Sequence, residues 1–485
     1  MSSLSSPGIG SGLDVNSIVS QLVSIERQPI VALQTKAAAI QTQLSSYGLL
    51  SSYAGNMHDI AAQMASPTFW AQNAATSSDS SSVSVTATTT AASGSYAVQV
   101  SQLAQAQTIA SKAYTDSSTT VGTGTLHIDF GAWDTGLTTF TADGSKTGID
   151  ISIGAGENTL SGIKAKINAA NAGVTASIVT DASGARLVIN SNSTGAKSAV
   201  RITVADDDGN NTDANGLSAL AFNPATSSGQ MTQAQAAKDA QATINGLAVT
   251  SSTNTLSGAI DGVTLTLSKV TTSPATVGVS LNTAALTSAI TSFAKAYSDM
   301  NGYITTQTKY DATSQKAAAL QGDQSTLTLR SNLRSVYLSS SSASPMYSSL
   351  SAIGVQVQAD GSLKVDNTKL SAALANPTEV AKLFSNNSAD PAQQGFAVRA
   401  QALADQMTGS NGSITTHVKA LQDSIKRNAN DQQTLQDRVA LTQTRLMKQY
   451  TALDTLLGQT SGIASSLSQA LTGLANVNTS IANNK

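Results

Sequence analysis

Residues 30–47 read IVALQTKAAAIQTQLSSY, and their apolar side chains recur in alternating steps of three and four. The positions that carry this spacing are Ile30, Leu33, Ala37, Ile40, Leu44 and Tyr47. Because an α-helix has about 3.6 residues per turn, these positions line one face, and the sustained alternation is the heptad seam of a coiled coil. The stretch therefore predicts a helix that buries one stripe against a second helix.

The residues before this seam predict another, shorter helix. Asp14 occupies an N-cap position ahead of an apolar stripe with helical spacing. The stripe consists of Ile18, Leu22 and Ile25. Pro29 interrupts this helix and suits the first turn of the next one. Residues 1–13 are rich in serine and glycine, which predicts a flexible tail.

The C-terminal region has a matching pattern. The alternation of four and three is found at Leu421, Ile425, Asn428, Gln432, Leu435, Val439, Thr442, Leu446, Gln449 and Leu453. Several of these positions are polar, which predicts a weak coiled coil. Gly458 and Gly462 predict a break in the helix. A last apolar stripe follows at Ile463, Leu467, Leu471 and Leu474.

Between the two ends, the pattern changes to a period of two in segments rich in β-branched residues, which predicts strands. Tight hairpins are predicted at Asp143-Gly144, Asn245-Gly246, Asp261-Gly262 and Asp360-Gly361, because these residue types accept positive φ angles. Residues 159–173 predict a short amphipathic helix with Leu160, Ile163 and Ile167 on one face. The helical pattern returns after Asn282.

The order of segments along the chain is thus helix, β, helix. A lone helix with an exposed apolar stripe is marginally stable in water. Either the two ends of the chain pair with each other, so that the chain leaves along a stalk and returns to it, or other subunits cover the stripes. The two arrangements are compatible.

The composition excludes several classes of function. The 485 residues carry a formal net charge of −2, with 12% charged residues, 4% aromatic residues and no cysteine. The near-neutral charge predicts no binding to nucleic acid or to an anionic membrane, and the absence of cysteine excludes disulfides and thiolate sites. The first 25 residues lack the basic start and apolar core of a secretory signal. If the protein leaves the cell, it therefore uses a different export signal.

The sequence contains no recognisable catalytic or metal-binding motif. His58, His127 and His417 are predicted in a helix, a strand and a loop, and none has a carboxylate or histidine three or four residues further on. The glycines near the start of the chain follow no strand and precede no lysine, which argues against a phosphate loop. We expect no enzyme activity, no metal and no cofactor. A hydrolase carried on the stalk is the rival, and it requires a concave site with perturbed titratable groups.

An ordered set of segments resembles the flagellar hook-associated protein 2 (FliD) family, the filament cap. GIGSGLDVNSIVSQLVSIERQPI (8–30) and LQTKAAAIQTQLSSYGLL (33–50) resemble the opening of that family. Later segments similar to it are SYAVQVSQLAQAQTIAS (95–111), NTLSGIKAKINAANAGVTASIVTDASGARLVINSNSTG (158–195) and IGVQVQADGSLKVDNTKLSAALANPTEVAKLF (353–384). The resemblance extends over nearly the whole chain.

The resemblance implies an α+β multidomain fold with terminal coiled-coil legs, a helical domain and two nested β-rich domains inserted in the middle of the chain. The expected domains are a tail and leg (1–45), a helical domain (46–77 with 284–415) with a hairpin near 353–366, a β-rich domain (78–110 with 236–283), an inserted β-rich domain (111–235) and a C-terminal leg (416–485).

The resemblance also implies a function. A structural assembly factor of this family is exported through the flagellar type III apparatus, caps the distal end of the extracellular filament, promotes folding and insertion of flagellin, and prevents its loss. The implied partners are further copies in a homo-oligomeric ring, for which we expect a pentamer, flagellin, hook–filament junction proteins and a cytosolic export chaperone at the C-terminal helix.

The interaction residues that we expect in the legs belong to the apolar stripes of both ends. They are Ile18, Leu22, Ile25, Ile30, Leu33, Ile40, Leu44, Leu421, Ile425, Leu435, Val439, Leu446 and Leu453. Polar seam residues such as Asn428 and Gln432 would keep leg contacts weak enough for a cap that moves as subunits add. The alternative function is a secreted adhesin that binds host glycans or mucus through residues 78–283.

Overall fold

The structure is a computed structural model that describes residues 14–226, 230–313 and 315–482, except the side chains of residues 480–482. The flexible tail predicted for residues 1–13 lies outside the described residues. The chain divides into two compact units. The helical unit contains both ends of the chain, up to Trp70 and from Thr283 onward, and the β unit spans Ala71–Asn282.

Most helices belong to the ends of the chain and most strands to its middle. The helices are α1 (Val15–Glu26), α2 (Gln28–Ala65), α3 (Leu160–Ala169), α4 (Thr283–Gln307), α5 (Gln324–Leu338), α6 (Asn367–Ala373), α7 (Pro377–Ser385), α8 (Phe396–Thr408) and α9 (Ser413–Ala482). The strands are β1 (Asn73–Ser77), β2 (Val83–Ala87), β3 (Gly94–Gln102), β4 (Thr108–Ala110), β5 (Gly124–Trp133), β6 (Phe140–Ala142), β7 (Ile149–Ile153), β8 (Val174–Asp181), β9 (Gly184–Ser191), β10 (Ala199–Asp206), β11 (Thr232–Gln235), β12 (Ala240–Ile244), β13 (Leu247–Ser251), β14 (Thr255–Ile260), β15 (Val263–Leu267), β16 (Ala275–Leu281), β17 (Tyr310–Asp311), β18 (Lys316–Ala317), β19 (Val355–Val357) and β20 (Leu363–Val365).

A proline separates the first two helices. Asp14 caps α1, as predicted, because its carboxylate accepts a hydrogen bond from the backbone N–H of Ser17 at 3.0 Å. Pro29 has no N–H to donate to the carbonyl of Ile25, so the hydrogen bonding of α1 is interrupted there. A new helix begins directly after Arg27, with the proline in its first turn. The predicted role of Pro29 is thus confirmed.

The core of the helical unit is built around aromatic rings from distant segments. Trp70 stacks on Phe384 with ring centroids 5.2 Å apart, and Phe293 packs edge-on against the same ring at 5.5 Å. Phe293 also stacks on Tyr337 at 4.6 Å. All four rings are buried. Because these rings come from the end of the N-terminal region and from α4, α5 and α7, residues on both sides of the β unit share one core.

The β unit contains two hydrophobic cores. One lies between the sheet β1-β16-β3-β12-β13 and the sheet β14-β15-β2. The other lies between the sheet β10-β5-β6, in which β7 also pairs with β5, and the sheet β11-β4-β9-β8, with α3 packed on it. Residues of the second core follow β3 and precede β12, so the second β domain is nested inside the first. The α+β multidomain fold is confirmed, whereas the exact boundaries of the five predicted domains stay predictions.

Three of the four predicted hairpins form. Asn245 and Gly246, with φ angles of 49° and 84°, connect β12 to β13. Gly262 (φ 70°) and Gly361 (φ 82°) take the positive φ positions in the β14–β15 and β19–β20 turns. Residues 159–173 contain α3, whose predicted apolar face is buried.

The hairpin predicted at Asp143-Gly144 is wrong. The strands on either side of it, β6 and β7, do not pair with each other but pair in succession with β5. The Asp143 carboxylate accepts hydrogen bonds from the backbone and the hydroxyl of Ser145. The dipeptide therefore forms a local turn, and the chain then runs on to a separate section of β5.

Helix α9 is continuous over 70 residues. Gly458 and Gly462 lie inside it, so the predicted break is wrong. A glycine costs a helix about 1 kcal/mol relative to alanine, which is too little to end a helix whose neighbouring turns are formed. Among the described residues, no helix has both the length and the apolar character that crossing a membrane requires.

Candidate interaction surface of the terminal helices

The two ends of the chain pair with each other in the helical unit. Val15, Val19, Val23 and Ile30 are buried in one cluster with Val439 of α9, which is only 4% exposed. Partly buried side chains complete this cluster, which we call the leg contact: Leu435, Leu446, Met447 and Tyr450. The expected pairing of the chain ends is therefore observed, and the chain returns to the helices from which it started.

The helices of the leg contact run antiparallel. The amide of Asn428 contacts the backbone of Leu33, whereas Arg438 lies 3.8 Å from the carboxylate of Glu26. Residue numbers thus rise along α9 as they fall along α2 and α1. This direction is expected, because α1 and α2 lead into the β unit and α9 comes back from it along the same helices.

The structure distributes the predicted leg residues over three levels of exposure. Ile30, Ile40 and Val439 are buried. The half-buried residues are Ile18, Leu33, Leu44, Leu421, Ile425, Leu435 and Leu446. Leu22, Ile25 and Leu453 are exposed by 37%, 61% and 42%, and they lie outside the leg contact. The role of all thirteen residues as interaction residues stays a prediction.

Sequence reasoning missed the valines through which α1 meets α9. Val15, Val19 and Val23 repeat every four residues, next to the predicted stripe that includes Ile18 and Leu22. Helix α1 is therefore apolar on two adjacent stripes, and periodicity alone does not tell which stripe faces α9. The four-residue spacing was nevertheless a visible signal for the second stripe.

The paired helices contain a buried polar position. Asn428 is buried, and its side-chain amide donates to the carbonyl oxygen of Leu33 at 3.1 Å. The side-chain oxygen of Asn428 accepts a hydrogen bond from Gln432 one turn later, at 2.5 Å. A buried amide in a helix seam stabilises the one register that satisfies it, and it lowers affinity relative to an apolar side chain.

A second polar cluster joins α2 and α9 to the start of α5. Tyr47 is buried, stacks on His417 with centroids 4.3 Å apart, and donates its hydroxyl proton to Asp323. Asp323 also caps α5 by accepting from the backbone of Ser325. Burial raises the pKa of Tyr47, and the neighbouring carboxylate raises it further. Tyr47 therefore stays protonated, and it anchors the paired helices to the core of the helical unit.

The far end of α9 presents an apolar surface. All residues from 459 to 479 are exposed, and the large apolar side chains among them recur at helical spacing. They include Ile463, Leu467, Leu471 and Leu474. Beside the leg contact, an apolar groove of about 550 Å³ between α2 and α9 is lined by Pro29, Leu33 and Leu435. Another helix could pack on these surfaces, because helices pack by placing the apolar ridges of one into the grooves of the other.

The three histidines lie on separate elements of the structure, α2, β5 and α9. His127 lies between Asp129 (2.9 Å) and Asp150 (2.5 Å) on the outer face of the β5 sheet. His58 is on α2, and His417 is on α9 rather than in the predicted loop, because α9 begins already at Ser413. Within the described ranges, no three histidine or acidic side chains are grouped to hold a metal ion.

Comparison with known proteins agrees with this architecture. The sequence model for the C-terminus of flagellar hook-associated protein 2 matches residues 237–481, and the model for its N-terminus matches residues 11–107. The chain belongs to the flagellar hook-associated protein 2 family. The flagellin hook IN motif also matches, over residues 139–193. This range contains helix α3 and the four strands β6 to β9.

Full-length relatives in this family are similar over almost the entire chain. Flagellar hook-associated protein 2 of Escherichia coli K12 is 32% identical, over 97% of this chain and 98% of the relative. The A-type flagellar hook-associated protein 2 of Pseudomonas aeruginosa is 30% identical, over 96% of this chain and 97% of the relative. The resemblance stated from the sequence is thus confirmed.

A solved structure supports the same family assignment. The crystal structure of the D1-D2-D3 domains of the flagellar cap protein FliD from Escherichia coli superposes with a TM-score of 0.61 at 30% identity. The match covers 78% of this chain and 99% of that structure. The family members are therefore similar in fold as well as in sequence.

Proposed function

We propose that this protein caps the distal end of the bacterial flagellar filament, promotes the folding and insertion of exported flagellin, and prevents the loss of flagellin. Family membership over nearly the whole chain supports this proposal most strongly, since a solved relative is a flagellar cap protein. The pairing of both chain ends in the leg contact supports it as well. The protein then acts outside the cell, at the filament tip.

In this function the protein works as a homo-oligomeric ring, for which we propose five subunits. The legs touch flagellin and, early in assembly, the hook–filament junction proteins. The exposed side chains of Leu22, Ile25 and Leu453 are available for such contacts. A cytosolic export chaperone covers the C-terminal helix before export, which is consistent with the exposed apolar surface of residues 459–479.

The proposed mechanism involves no covalent chemistry. A cap that moves as each flagellin adds needs contacts that form and break repeatedly. The buried amide of Asn428 belongs to the pairing of α2 and α9 within one chain, whereas contacts with flagellin use side chains that this pairing leaves exposed, such as Leu22 and Ile25. Flagellin folds and inserts in the space that the legs leave open.

Deletion of the gene tests this function. Cells that lack the gene are expected to carry no filaments or very short ones and to release flagellin into the medium, and the reintroduced gene restores the filaments. Filament length is measured by electron microscopy, and released flagellin by immunoblot of the medium. Filaments of normal length in the deletion strain would contradict the proposal. Glycan binding by residues 78–283 stays a separate prediction, to be tested with glycan arrays.

A further inference from the structure

Helices α5 and α8 border a cavity in the helical unit that the proposed function does not use. Its volume is about 520 Å³, and Arg399 of α8 is the only charged residue in its lining. The uncharged polar residues of the lining come from α5, from α8 and from the residues next to these helices. They are Asn332, Ser335, Ser339, Gln394 and Gln406. The cavity therefore combines one cation with several neutral hydrogen-bonding groups.

The guanidinium of Arg399 has only uncharged hydrogen-bond partners. Its Nη1 donates to the hydroxyl of Ser339 at 3.1 Å and to the carbonyl of Ser340 at 3.0 Å. Its Nη2 donates to the carbonyls of Pro391 at 2.8 Å and Ala392 at 3.1 Å. The Nε atom is buried and has no acceptor in the described part of the chain. Arg399 thus joins the end of α5 to the segment before α8, but its charge is not neutralised there.

The acidic side chains nearest to Arg399 along the chain are engaged elsewhere. Asp390 accepts a hydrogen bond from the backbone N–H of Ala392, and Asp405 lies 3.5 Å from a ring nitrogen of His58. Burial lowers the pKa of Arg399, because the charged form loses contact with water. An arginine nevertheless stays charged in a protein, and a partly buried one normally has an acidic partner. The positive charge beside the cavity therefore lacks the anion that would balance it.

The groups around the cavity indicate which anion fits. The side chains of Asn332, Ser335 and Gln406 are exposed to solvent, so their N–H and O–H groups can donate to a ligand. A carboxylate has one negative charge and two oxygens that accept several hydrogen bonds. A phosphate group carries more negative charge than one guanidinium balances. One cation with neutral donors around it thus suits a carboxylate best.

We propose that this cavity binds a carboxylate group, for which Arg399 supplies the positive charge and the amides of Asn332 and Gln406 supply hydrogen bonds. Because the terminal N–H groups of Arg399 stay on the Ser339 hydroxyl and on backbone carbonyls, the guanidinium acts through its charge and not as a bidentate fork. The carboxylate belongs to a small organic acid or to an acidic side chain of a partner protein. The site itself does not depend on the capping function.

Ser339→Asp tests the proposal, because it builds a carboxylate into the cavity itself. The natural Ser339 hydroxyl already lies 3.1 Å from Nη1 of Arg399, so the new carboxylate neutralises that charge and competes with a ligand. Ser340→Asp is the matched control, since it adds the same charge to the neighbouring side chain, which is exposed. The probe is sodium acetate, compared with sodium chloride at equal ionic strength. The unfolding midpoint of each full-length protein is measured by scanning calorimetry.

Binding to the folded state raises the unfolding midpoint as the ligand concentration increases. We expect acetate to raise the midpoint more than chloride does in the natural protein and in Ser340→Asp, and this difference to be lost in Ser339→Asp. General effects of the salts on stability are the same in all three proteins. An equal acetate effect in the natural protein and Ser339→Asp would overturn the proposal. The same holds if acetate acts no differently from chloride in the natural protein.

Filament growth distinguishes the two sources of the carboxylate. With Ser339→Asp in place of the natural gene, short filaments, with normal ones for Ser340→Asp, would assign the carboxylate to a partner protein that the built-in carboxylate displaces. Normal filaments with both variants would assign it to a small organic acid. If deletion of the gene leaves filaments unchanged, the proposed function fails, whereas calorimetry still decides whether the site exists.

Discussion

Single polar residues fix the register of the paired chain ends. The buried amide of Asn428 donates across the helix pair to the carbonyl of Leu33, whereas Gln432, which donates to the Asn428 side chain, lies on the same helix as Asn428. Sliding α9 by one turn would take the amide N–H of Asn428 away from the Leu33 carbonyl, and a buried donor without an acceptor costs about 1–3 kcal/mol. The register of α9 on α2 thus depends on the Asn428 side chain, whereas the leg contact next to it is apolar.

Replacement of Asn428 by leucine separates stability from register. Asn428→Leu is expected to raise the free energy of unfolding of the helical unit by about 1 kcal/mol, because an apolar side chain avoids the cost of burying an amide. The measurement is urea denaturation followed by circular dichroism. Asn430→Leu, on the exposed face of the same turn, is the control and should change little. A clear loss of stability in Asn428→Leu would mean that the amide is net stabilising.

His127 makes the stability of the β unit dependent on pH. Its hydrogen bond to Asp150, and a second one to Asp129, raise its pKa in the folded protein. Partial burial opposes ionisation of Asp129, but hydrogen bonds from Arg201 and His127 outweigh it and lower the pKa of Asp129. Protonated His127 therefore adds to the free energy of unfolding. This stabilisation is complete below the pKa of about 6.5 in the unfolded chain, and it is lost as the pH rises through the higher pKa of the folded protein.

His127→Gln should flatten this dependence. Between about pH 6 and pH 8, the thermal unfolding midpoint of the unmodified protein is expected to fall relative to that of His127→Gln, measured by scanning calorimetry. Asp150→Asn removes the carboxylate that contributes most to the raised pKa of His127. This variant should therefore also show a smaller fall of the unfolding midpoint between these pH values than the natural protein. If the unfolding midpoints of the natural protein and of His127→Gln change with pH in parallel, the cluster of His127, Asp129 and Asp150 does not contribute to the pH dependence of stability.

Among the helices and strands, the features with local chemical causes could be predicted from sequence. The hairpins at Asn245-Gly246 and Asp261-Gly262, the cap at Asp14 and the proline start of α2 each depend on the conformational preference of one or two residues. Asp143-Gly144 forms a turn in which neither residue has a positive φ angle, and it forms no hairpin, because strand pairing is decided by contacts that the dipeptide does not make.

The candidate interaction surface could be predicted only in part. The seam of α2 and α9 is visible as a heptad, but the choice between the two apolar stripes of α1 depends on how α1 lies on α9, which periodicity does not contain. The heptad spacing on both sides of Gly458 and Gly462 is a stronger signal for a continuous α9 than the two glycines are for a break.

The glycines of α9 provide a prediction for this helix. A Cβ atom at Gly462 would have no atom within 4 Å, so Gly462→Ala should strengthen the helix by about 1 kcal/mol and slow amide exchange of the neighbouring residues about fivefold. Gly354→Ala is the contrasting variant. Its φ is +95°, and a Cβ would lie 2.8 Å from Lys369, so it should destabilise the fold. Faster exchange around Gly462→Ala would contradict an independently extended helix.

In the whole molecule, the fold is a chain that leaves and returns. The N-terminal helices and α9 pair in the helical unit, and the β unit is one long insertion between Trp70 and Thr283. Because the N-terminal helices and α9 pack on each other, a substitution that disrupts the packing of one end also removes the packing partner of the other end. This is the central claim of the proposed capping function.

Filament growth with a disrupted leg contact tests this claim most directly. Val439→Asp places a charge in the buried centre of the contact, at a cost of several kcal/mol, whereas Leu441→Asp changes a side chain that is 73% exposed. Each variant replaces the natural gene, and filament length and flagellin in the medium are measured after export of the variant itself is verified. We predict short or absent filaments and released flagellin for Val439→Asp, with normal filaments for Leu441→Asp. Filaments of normal length with Val439→Asp would contradict the account.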